Sequence, residues 1–437
     1  MIPVTFSELV IRNQQRSIAV TKSKPQKIKR VNKETMIVTL DIGKGSHYGY
    51  FRAPDGQDVE PFAFYHSHDS FHGFWKRLSS FKKVHGCKQV VVGFESTGPY
   101  AEPITHFLKQ RPVRLVQINP MHSKRIKELT GNSPNKTDRK DPRVIADVIM
   151  LGHALRVVIP QGSSAHLRRL TQARERAIRD RTAMLNQLQH LVFVIFPEFL
   201  QVIKNISCKT GLYLLGHYPT RQAIGALGEE KLSAIIKQVS RGRMGRGHAR
   251  ELLESAQISV GINEGQESIS EEIGHLVDKV TRENDFIDHL ECQMRSHLEQ
   301  VAYSSCLLSL PGVGLITVAG LIGEVGDFRQ YRTVAEITKL AGLDLFEVSS
   351  GKHQGQRHIS KRGRPLMRKL LYFAAINAVK STGTMHQPYT RMLERGMPKT
   401  KALVAISRKL LKVMYALARD QAMYMENFAT HRYQCAA

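Results

Sequence analysis

The sequence predicts an α/β domain followed by an all-α region, and three observations lead to this fold class. Runs of β-branched and aromatic residues alternate with helical patterns between Met36 and Ile118. From Asp141 to the C-terminus, apolar residues recur at helical spacing. The composition, with 42% hydrophobic and 23% charged residues, is that of a globular protein with packed cores.

The N-terminal part divides into a tail and a predicted mixed sheet. Residues 1–35 are rich in lysine and lack apolar periodicity, so we expect a basic, flexible tail. Residues 36–160 are expected to form one domain, in which an initial meander of strands is followed by strands alternating with helices. The segments that predict strands are 36–42, 47–52, 59–65, 89–94 and 113–118, and those that predict helices are 69–85 and 100–110.

The remaining chain is expected to be helical and to contain two parts. In residues 161–302, two long amphipathic patterns at 164–200 and 267–302 flank a helical insert. They predict either a coiled-coil arm that supports dimerisation or ordinary bundle helices. Residues 303–437 form a third unit with a glycine-rich, basic loop at 349–364.

The charge balance indicates a polyanionic partner. Lys and Arg number 64 against 38 Asp and Glu, which gives a net charge of +26 and favours nucleic acid. No run of roughly 18 apolar residues is present, so a membrane partner is not expected. The five cysteines are scattered without a CxxC pair or a Cys/His cluster, which is typical of a reducing cytoplasm.

Four carboxylates form a candidate metal site. Asp41 and Glu95 each end a predicted buried strand, where a carboxylate is costly to desolvate unless it is paired or binds a cation. Asp138 and Asp141 are three residues apart, which places both on one face of a helix. Such oxygen ligands suit Mg²⁺, with Mn²⁺ as the alternative, and two ions would clamp both oxygens of a phosphodiester displacement.

Each carboxylate also has a purely structural interpretation. Asp41 could cap the turn at Gly43, and Asp138 could cap the helix that follows it. Asp147 competes with Asp141 for the last ligand position, although six helical residues turn it away from that face.

The order Asp41-Ile-Gly, Glu95-Ser-Thr-Gly and Lys136-Thr-Asp138-x-x-Asp141 resembles the DEDD transposases of the insertion-sequence-110 family, whose relatives include the Piv-type DNA invertases. The resemblance extends from about residue 36 to residue 425. It implies that residues 36–160 have the RNase H-like fold of the RuvC Holliday-junction resolvase and that 303–437 form a helical transposase domain.

A second part of the resemblance lies at 341–363, which is similar to the family signature Gly-Leu…Ser-Gly…Ile-Ser-Lys-Arg-Gly. The match implies that Ser350 is the nucleophile, with Ser349 as the close competitor. Neighbouring cations would stabilise the charge on the reacting phosphate. These cations are Lys352, Arg357, Lys361, Arg362 and Arg364. Alternatively, both serines are ordinary turn residues in a solvated basic loop.

Further residues are expected to contact nucleic acid. The turn Pro311-Gly312-Val313-Gly314 is typical of helix-hairpin-helix modules that approach a phosphate, and it also occurs where helices simply pack tightly. The basic residues expected to contact phosphates are Lys124, Arg125, Lys127, Arg168, Arg169 and Arg174.

The resemblance implies an enzyme that excises and inserts its own insertion sequence by site-specific recombination. It implies a covalent 5′-phosphoserine intermediate, donor and target double-stranded DNA, a structured bridge RNA that sets specificity, and dimers that pair into a tetramer. The expected location is the bacterial cytoplasm, in association with the nucleoid. The rival hypotheses are a metal-dependent junction resolvase that uses water and a non-catalytic basic nucleic-acid-binding protein.

Overall fold

The computed structural model describes residues 31–95, 98–130, 141–347, 355 and 357–426. These residues form two compact units, 31–159 and 160–426. Within the described residues, no helix is both long enough and apolar enough to cross a membrane.

The first unit is built on a mixed sheet. Its strands are β1 (Thr35–Ile42), β2 (Ser46–Arg52), β3 (Phe62–Tyr65), β4 (Gln89–Glu95), β5 (Arg114–Ile118) and the two-residue β6 (Leu155–Arg156). The spatial order is β3-β2-β1-β4-β5-β6. β1, β2 and β3 pair antiparallel, whereas β1, β4 and β5 are parallel. This five-strand arrangement with its short sixth strand is RNase H-like, as predicted.

Helices cover both faces of this sheet. They are α1 (His68–Val84), α2 (Ala101–Lys109), α3 (Pro120–Thr130) and α4 (Asp141–Met150), with a 3₁₀ turn at Gly98–Tyr100. Even-numbered residues of β1, such as Leu40, pack with Phe74 of α1 and Ile104 of α2. Odd-numbered ones, such as Ile37, pack with Ile149 of α4. Because side chains alternate along a strand, the two faces of β1 pack into two different hydrophobic cores.

Two strands differ from the sequence prediction. β3 begins at Phe62 instead of Val59, because Pro61 has no N–H to donate to a ladder. The amide of Val59 does bond to the Phe51 carbonyl, but the pairing is not continued. β6 was not predicted, since two residues carry no periodicity.

The second unit is helical. Its N-terminal half contains α5 (Ser163–Ile195), α6 (Phe199–Val202), α7 (Lys209–His217), α8 (Arg221–Gly225), α9 (Gly228–Val239), α10 (Arg246–Gln257) and α11 (Gln266–Glu299). Its C-terminal half contains α12 (Ser304–Leu308), α13 (Leu315–Val325), a 3₁₀ turn (Phe328–Gln330), α14 (Val334–Leu340), α15 (Pro365–Ala378), α16 (His386–Glu394) and α17 (Lys399–Asp420).

The long helices α5 and α11 pack against each other as an antiparallel hairpin within the chain. Ser163 at one end of α5 bonds to Gln300 just after α11, and Gln187 near the other end bonds to Glu272. At the distal end, the apolar side chains of both helices pack with those of the insert α6–α10. At the proximal end, Leu167 joins the C-terminal core. The apolar stripes that predicted a coiled coil are thus largely buried inside the chain.

α17 is the central helix of the C-terminal half. It packs against α12, α14, α15 and α16, and it contributes Ile406, Leu410 and Met414 to their common core. Beside it, a small hairpin joins β7 (Leu345–Phe346) to β8 (His358–Ile359).

Candidate active site

Asp41 and Glu95 lie side by side at one edge of the sheet. Leu40 is paired with Phe94 in the parallel β1–β4 ladder, so Asp41 and Glu95 follow at the same level in neighbouring strands. Adjacent strands are about 4.8 Å apart, and residues at the same level of a parallel pair face the same side. Both carboxylate residues are half-buried.

The N-terminus of α4 is held against the same face of the sheet. Thr39, two residues before Asp41, donates its hydroxyl to the carbonyl of Pro142 at 2.6 Å. Gly93, two residues before Glu95, faces Ile149 so closely that an added Cβ would lie 2.4 Å from its Cδ1 atom. Because α4 begins at Asp141, the backbone of that residue adjoins the segment that carries Asp41.

The carboxylate pair suits a hard divalent cation. Two carboxylate residues at neighbouring strand ends supply the oxygen ligands that Mg²⁺ prefers. Asp138 and the side chain of Asp141 lie outside the described residues. Among the side chains that the structure does describe, no group of three or more His, Cys, Asp or Glu is placed to hold a metal ion. The four-ligand set therefore stays a prediction.

The Gly43 amide donates to the Ser46 carbonyl at 3.1 Å, and a cap of this turn by Asp41 stays an alternative. The competition of Asp147 with Asp141 is answered by a specific contact. Asp147 forms an ion pair with Arg52 at 2.7 Å. Arg52 is paired with Ile37, four residues before Asp41 in β1, or about 13 Å along the strand. Asp147 is thus directed to the other end of β1.

A buried histidine lies close to this edge on the opposite face of the sheet. His47 is paired with Ile42 and is 0% exposed. Its ring lies 4.9 Å from that of Phe64 and 4.2 Å from that of His66. Neither ring nitrogen has a hydrogen-bond partner in the described part of the chain. Desolvation, reinforced by His66, lowers the pKa of His47 to about 4, so the ring is neutral.

The predicted serine loop is the part of the sequence between β7 and β8. Ser349, Ser350 and Lys352 lie outside the described residues. Arg357, just before β8, forms an ion pair with Glu347, just after β7, at 2.8 Å. The ends of the loop are thus joined by opposite charges.

Below this hairpin, polar and close backbone contacts hold the two chain segments together. The Ser360 hydroxyl donates to the Asp344 carboxylate, and the Ser360 amide donates to the Asp344 carbonyl at 2.8 Å. A Cβ on Gly363 would lie 2.4 Å from the Gly342 nitrogen, so no larger side chain fits there. Lys361, between them, has a φ of 53°, an unfavourable left-handed conformation for a non-glycine residue. We call residues 340–344 and 360–364 the clasp.

A buried ion pair anchors the clasp to the core. The Arg364 guanidinium donates to the Glu324 carboxylate at 2.9 Å and also to its backbone carbonyl. The Glu324 side chain is only 7% exposed. The amide of Arg364 additionally donates to the Leu340 carbonyl at 2.8 Å. Arg364 therefore joins the clasp to α13, whereas Lys361 and Arg362 are exposed. Phosphate contact by these three residues stays a prediction.

The basic residues predicted on α3 and α5 fall into two groups. Arg174 donates to Glu291 of α11 at 2.6 Å, so its charge is neutralised by an ion pair between α5 and α11. Arg168 and Lys127 are half-buried. The exposed members, on which the prediction of phosphate contact now chiefly rests, are Lys124, Arg125 and Arg169.

The Pro-Gly-x-Gly turn shows a packing requirement. Gly312 has a φ of 86°, and a Cβ there would lie 2.8 Å from the backbone nitrogen of Ala378. Gly314 precedes α13 and has open space around it. The cleft beside Leu315 is lined by Asp288, Glu291 and Arg295, among others, and Glu291 is paired with Arg174. Tight helix packing therefore accounts for Gly312, while phosphate contact at this turn stays a prediction.

Sequence reasoning named Lys361, Arg362 and Arg364 but missed the contacts that form the clasp. Asp344 and Ser360 both lie in the 341–363 segment, sixteen residues apart, and nothing in that pattern pairs them. Glu324 did carry a signal, because it is a lone carboxylate within the apolar run Leu315–Val325 and such a residue requires a buried partner.

Comparisons with known proteins agree with this organisation. Residues 38–197 match a family model described as a transposase of the DEDD, IS110 type. Residues 304–390 match a second model, described as a transposase of the IS116/IS110/IS902 family.

Several curated proteins are similar over much of the chain. The "Insertion element IS110 uncharacterized 43.6 kDa protein" of Streptomyces coelicolor is 24% identical, covering 88% of this chain and 94% of that protein. The "Transposase for insertion sequence element IS1111A" of Coxiella burnetii is 24% identical, covering 66% and 68%. The "Pilin gene-inverting protein" of Moraxella lacunata is 27% identical over 44% of this chain and 58% of its own length. The two family models lie on the sheet domain with α5 and on the C-terminal helical half, and the chain belongs to the IS110 family of transposases, which are DNA-processing enzymes.

Proposed function

We propose that the chain is an RNA-guided DNA recombinase that cleaves DNA with a serine nucleophile and a carboxylate-held divalent metal. The observation that carries the proposal is the placement of Asp41 and Glu95 at the same level of two parallel strands beside the start of α4. A DEDD transposase domain implies the use of a divalent metal, and these carboxylates, with Asp138 and Asp141, would hold it. The bound ion would polarise the scissile phosphate.

In the proposed step, the Ser350 hydroxyl oxygen attacks the phosphorus atom of a DNA strand. A new serine O–P bond forms, the bond from phosphorus to the 3′ oxygen breaks, and the strand leaves with a 3′ hydroxyl. The serine proton passes to a base, since a neutral hydroxyl is a weak nucleophile. The departing 3′ oxygen takes up a proton from water, which completes the 3′ hydroxyl. The exposed cations Lys361 and Arg362 are suited to stabilise the charge that develops on the phosphate.

A labelled-strand experiment tests this chemistry. Purified protein is mixed with Mg²⁺, the RNA transcribed beside the element, and DNA spanning the element's end. A strand labelled at its 3′ end should migrate with the denatured protein, and the label should stay free with Ser350→Ala and with Asp41→Asn. Ser349→Ala should still give the adduct.

Other outcomes would select a rival function. Cleavage that persists in Ser350→Ala, without an adduct, would indicate a resolvase that uses water. Binding without any cleavage, unchanged in Asp41→Asn, would indicate a non-catalytic binder. Full activity without RNA would remove RNA guidance from the proposal.

The proposal extends to a homodimer that pairs into a tetramer with shared sites. The carboxylates and Ser350 belong to different compact units of the chain, and coordinated cutting of two duplexes favours a symmetric oligomer. Mixed Asp41→Ala and Ser350→Ala proteins should regain partial cleavage if the site is completed by the partner. No recovery in hetero-oligomers that demonstrably form would show that each chain completes its own site.

A further inference from the structure

A cluster of cations interrupts the otherwise buried surface of α17. From Ile406 to Ala418, every residue is buried except Arg408, Lys409 and Lys412, which are half-buried. Their spacings of three and four residues place Lys412 on the same face as the other two. We call these three residues the cationic window.

Arg391 of α16 adds a further positive charge beside the window. The positive charges of Lys412 and Arg391, the latter on α16, lower the pKa of Lys409, after desolvation as the main cause. Desolvation followed by the charge of Arg408 likewise lowers the pKa of Lys412. Cations held together in a recess repel one another and lose hydration, which costs folding free energy unless an anion binds there.

Two members of the window, Arg408 and Lys412, have hydrogen-bonding capacity left for a ligand. The Nε atom of Arg408 is buried and has no hydrogen-bond partner among the described residues. Lys412 forms no ion pair or hydrogen bond with any described residue. Donors with these properties match the oxygens of a phosphate.

The window adjoins the clasp of the serine loop. Arg408 lies close enough to Asp344 for that carboxylate to act on its charge. Asp344 in turn accepts the Ser360 hydroxyl at the base of the β7–β8 hairpin. An anion at the window is therefore next to the segment that positions Ser350.

We propose that the cationic window binds the phosphate backbone of the DNA strand that the serine loop attacks. The inference rests on the proposed function, because the choice of DNA over RNA follows from the neighbouring loop. Two or three successive phosphates of one strand fit three cations within a single helical turn. The contact is to the backbone, so it fixes the position of the strand and carries no sequence preference.

The test compares matched variants for binding of a short fluorescent DNA duplex of arbitrary sequence. All proteins are full length and carry Ser350→Ala, so that binding is measured without cleavage by this serine. The affinity can therefore be interpreted even if Ser350 is not the nucleophile. Lys412→Met should weaken binding on the order of 10-fold and should make the salt dependence shallower by about one unit of log–log slope. Lys412→Arg should retain both, because the charge is kept.

Two controls separate this result from unfolding and from loss of net charge. The thermal midpoint of Lys412→Met should be equal to or above that of the parent, since the substitution removes repulsion from Arg408. Lys237→Met, at an exposed position of α9, should change the affinity by less than about 2-fold.

Three outcomes would overturn the inference. The first is Lys412→Met binding the duplex as tightly as the parent. The second is an equal loss in Lys237→Met, which would indicate a general charge effect. The third is a loss that appears only with a structured RNA hairpin as the probe, which would assign the window to RNA.

Discussion

The two halves of the proposed active site are positioned by different physical means. In the sheet, Asp41 and Glu95 are placed by the register of two parallel strands, and their neighbours contribute mainly backbone hydrogen bonds. In the C-terminal unit, the segments that flank the serine loop in the sequence are held by side chains: Glu324 with Arg364, and Asp344 with Ser360. The position of the carboxylates therefore depends on the packing around the two strands. The position of the clasp depends on a few polar contacts between side chains.

The largest expected effect is at the ion pair of the clasp. Glu324→Gln leaves the charge of Arg364 without its buried partner, and we expect a loss of about 3 kcal/mol or more in unfolding free energy. Chemical denaturation measures it. Glu394→Gln, at an exposed position of α16, is the control and should be near neutral. The double substitution Glu324→Leu with Arg364→Met should recover most of the loss; a deficit as large as that of the single variant would contradict the ion-pair explanation.

The next effect is a pH dependence of the sheet unit. Below the usual pKa of 6.5 the unfolded chain protonates His47, whereas the folded chain keeps it neutral down to a pKa of about 4. Stability is therefore lost as the pH falls from 6.5 towards 4, by about 3 kcal/mol for this group. His47→Phe should remove this part of the dependence, and His68→Phe, an exposed control, should retain it. Identical pH profiles for His47→Phe and the parent would refute the assignment.

A packing change at the sheet should have an intermediate effect. The Cβ of Gly93→Ala would meet Ile149 of α4, and overpacking of this kind costs about 1–3 kcal/mol. Displacement of α4 should also reduce DNA cleavage. Ile149→Val removes the Cδ1 atom and should rescue both stability and cleavage in the double variant. If the double variant is no better than Gly93→Ala alone, contact with α4 does not set the geometry.

The smallest stability effect is expected at the polar contact of the clasp. Asp344→Asn keeps the shape and weakens the hydrogen bond from Ser360, at a cost of about 1 kcal/mol. The rate of DNA–protein adduct formation should fall more than this cost explains, because the loop is no longer fixed. Ser360→Ala should give the same rate, and the double variant should add little. An unchanged adduct rate would show that the loop is positioned by other contacts.

The same contrast explains how much could be predicted from the sequence. The adjacency of Asp41 and Glu95 could be predicted, because strand ends are visible in local patterns and parallel strands bring them to one edge. The contact of Glu324 with Arg364 spans forty residues and depends on the packing of α13 against the clasp, which no local pattern contains. The predicted helix boundaries were also imprecise. α5 ends at Ile195, five residues before the predicted end at residue 200, because Pro197 disfavours helical conformation in the residue before it.

The antiparallel hairpin of α5 and α11 has the geometry of a lever arm. Its 33-residue α5 is about 50 Å long. Its base is fixed where Gly323 of α13 approaches the backbone of Arg168 so closely that a Cβ would lie 2.7 Å away. The insert α6–α10 is carried at the far end. A tilt of about 5° at the base would move that end by about 4 Å, so a small repacking near the clasp is amplified into a displacement comparable to a base-pair step.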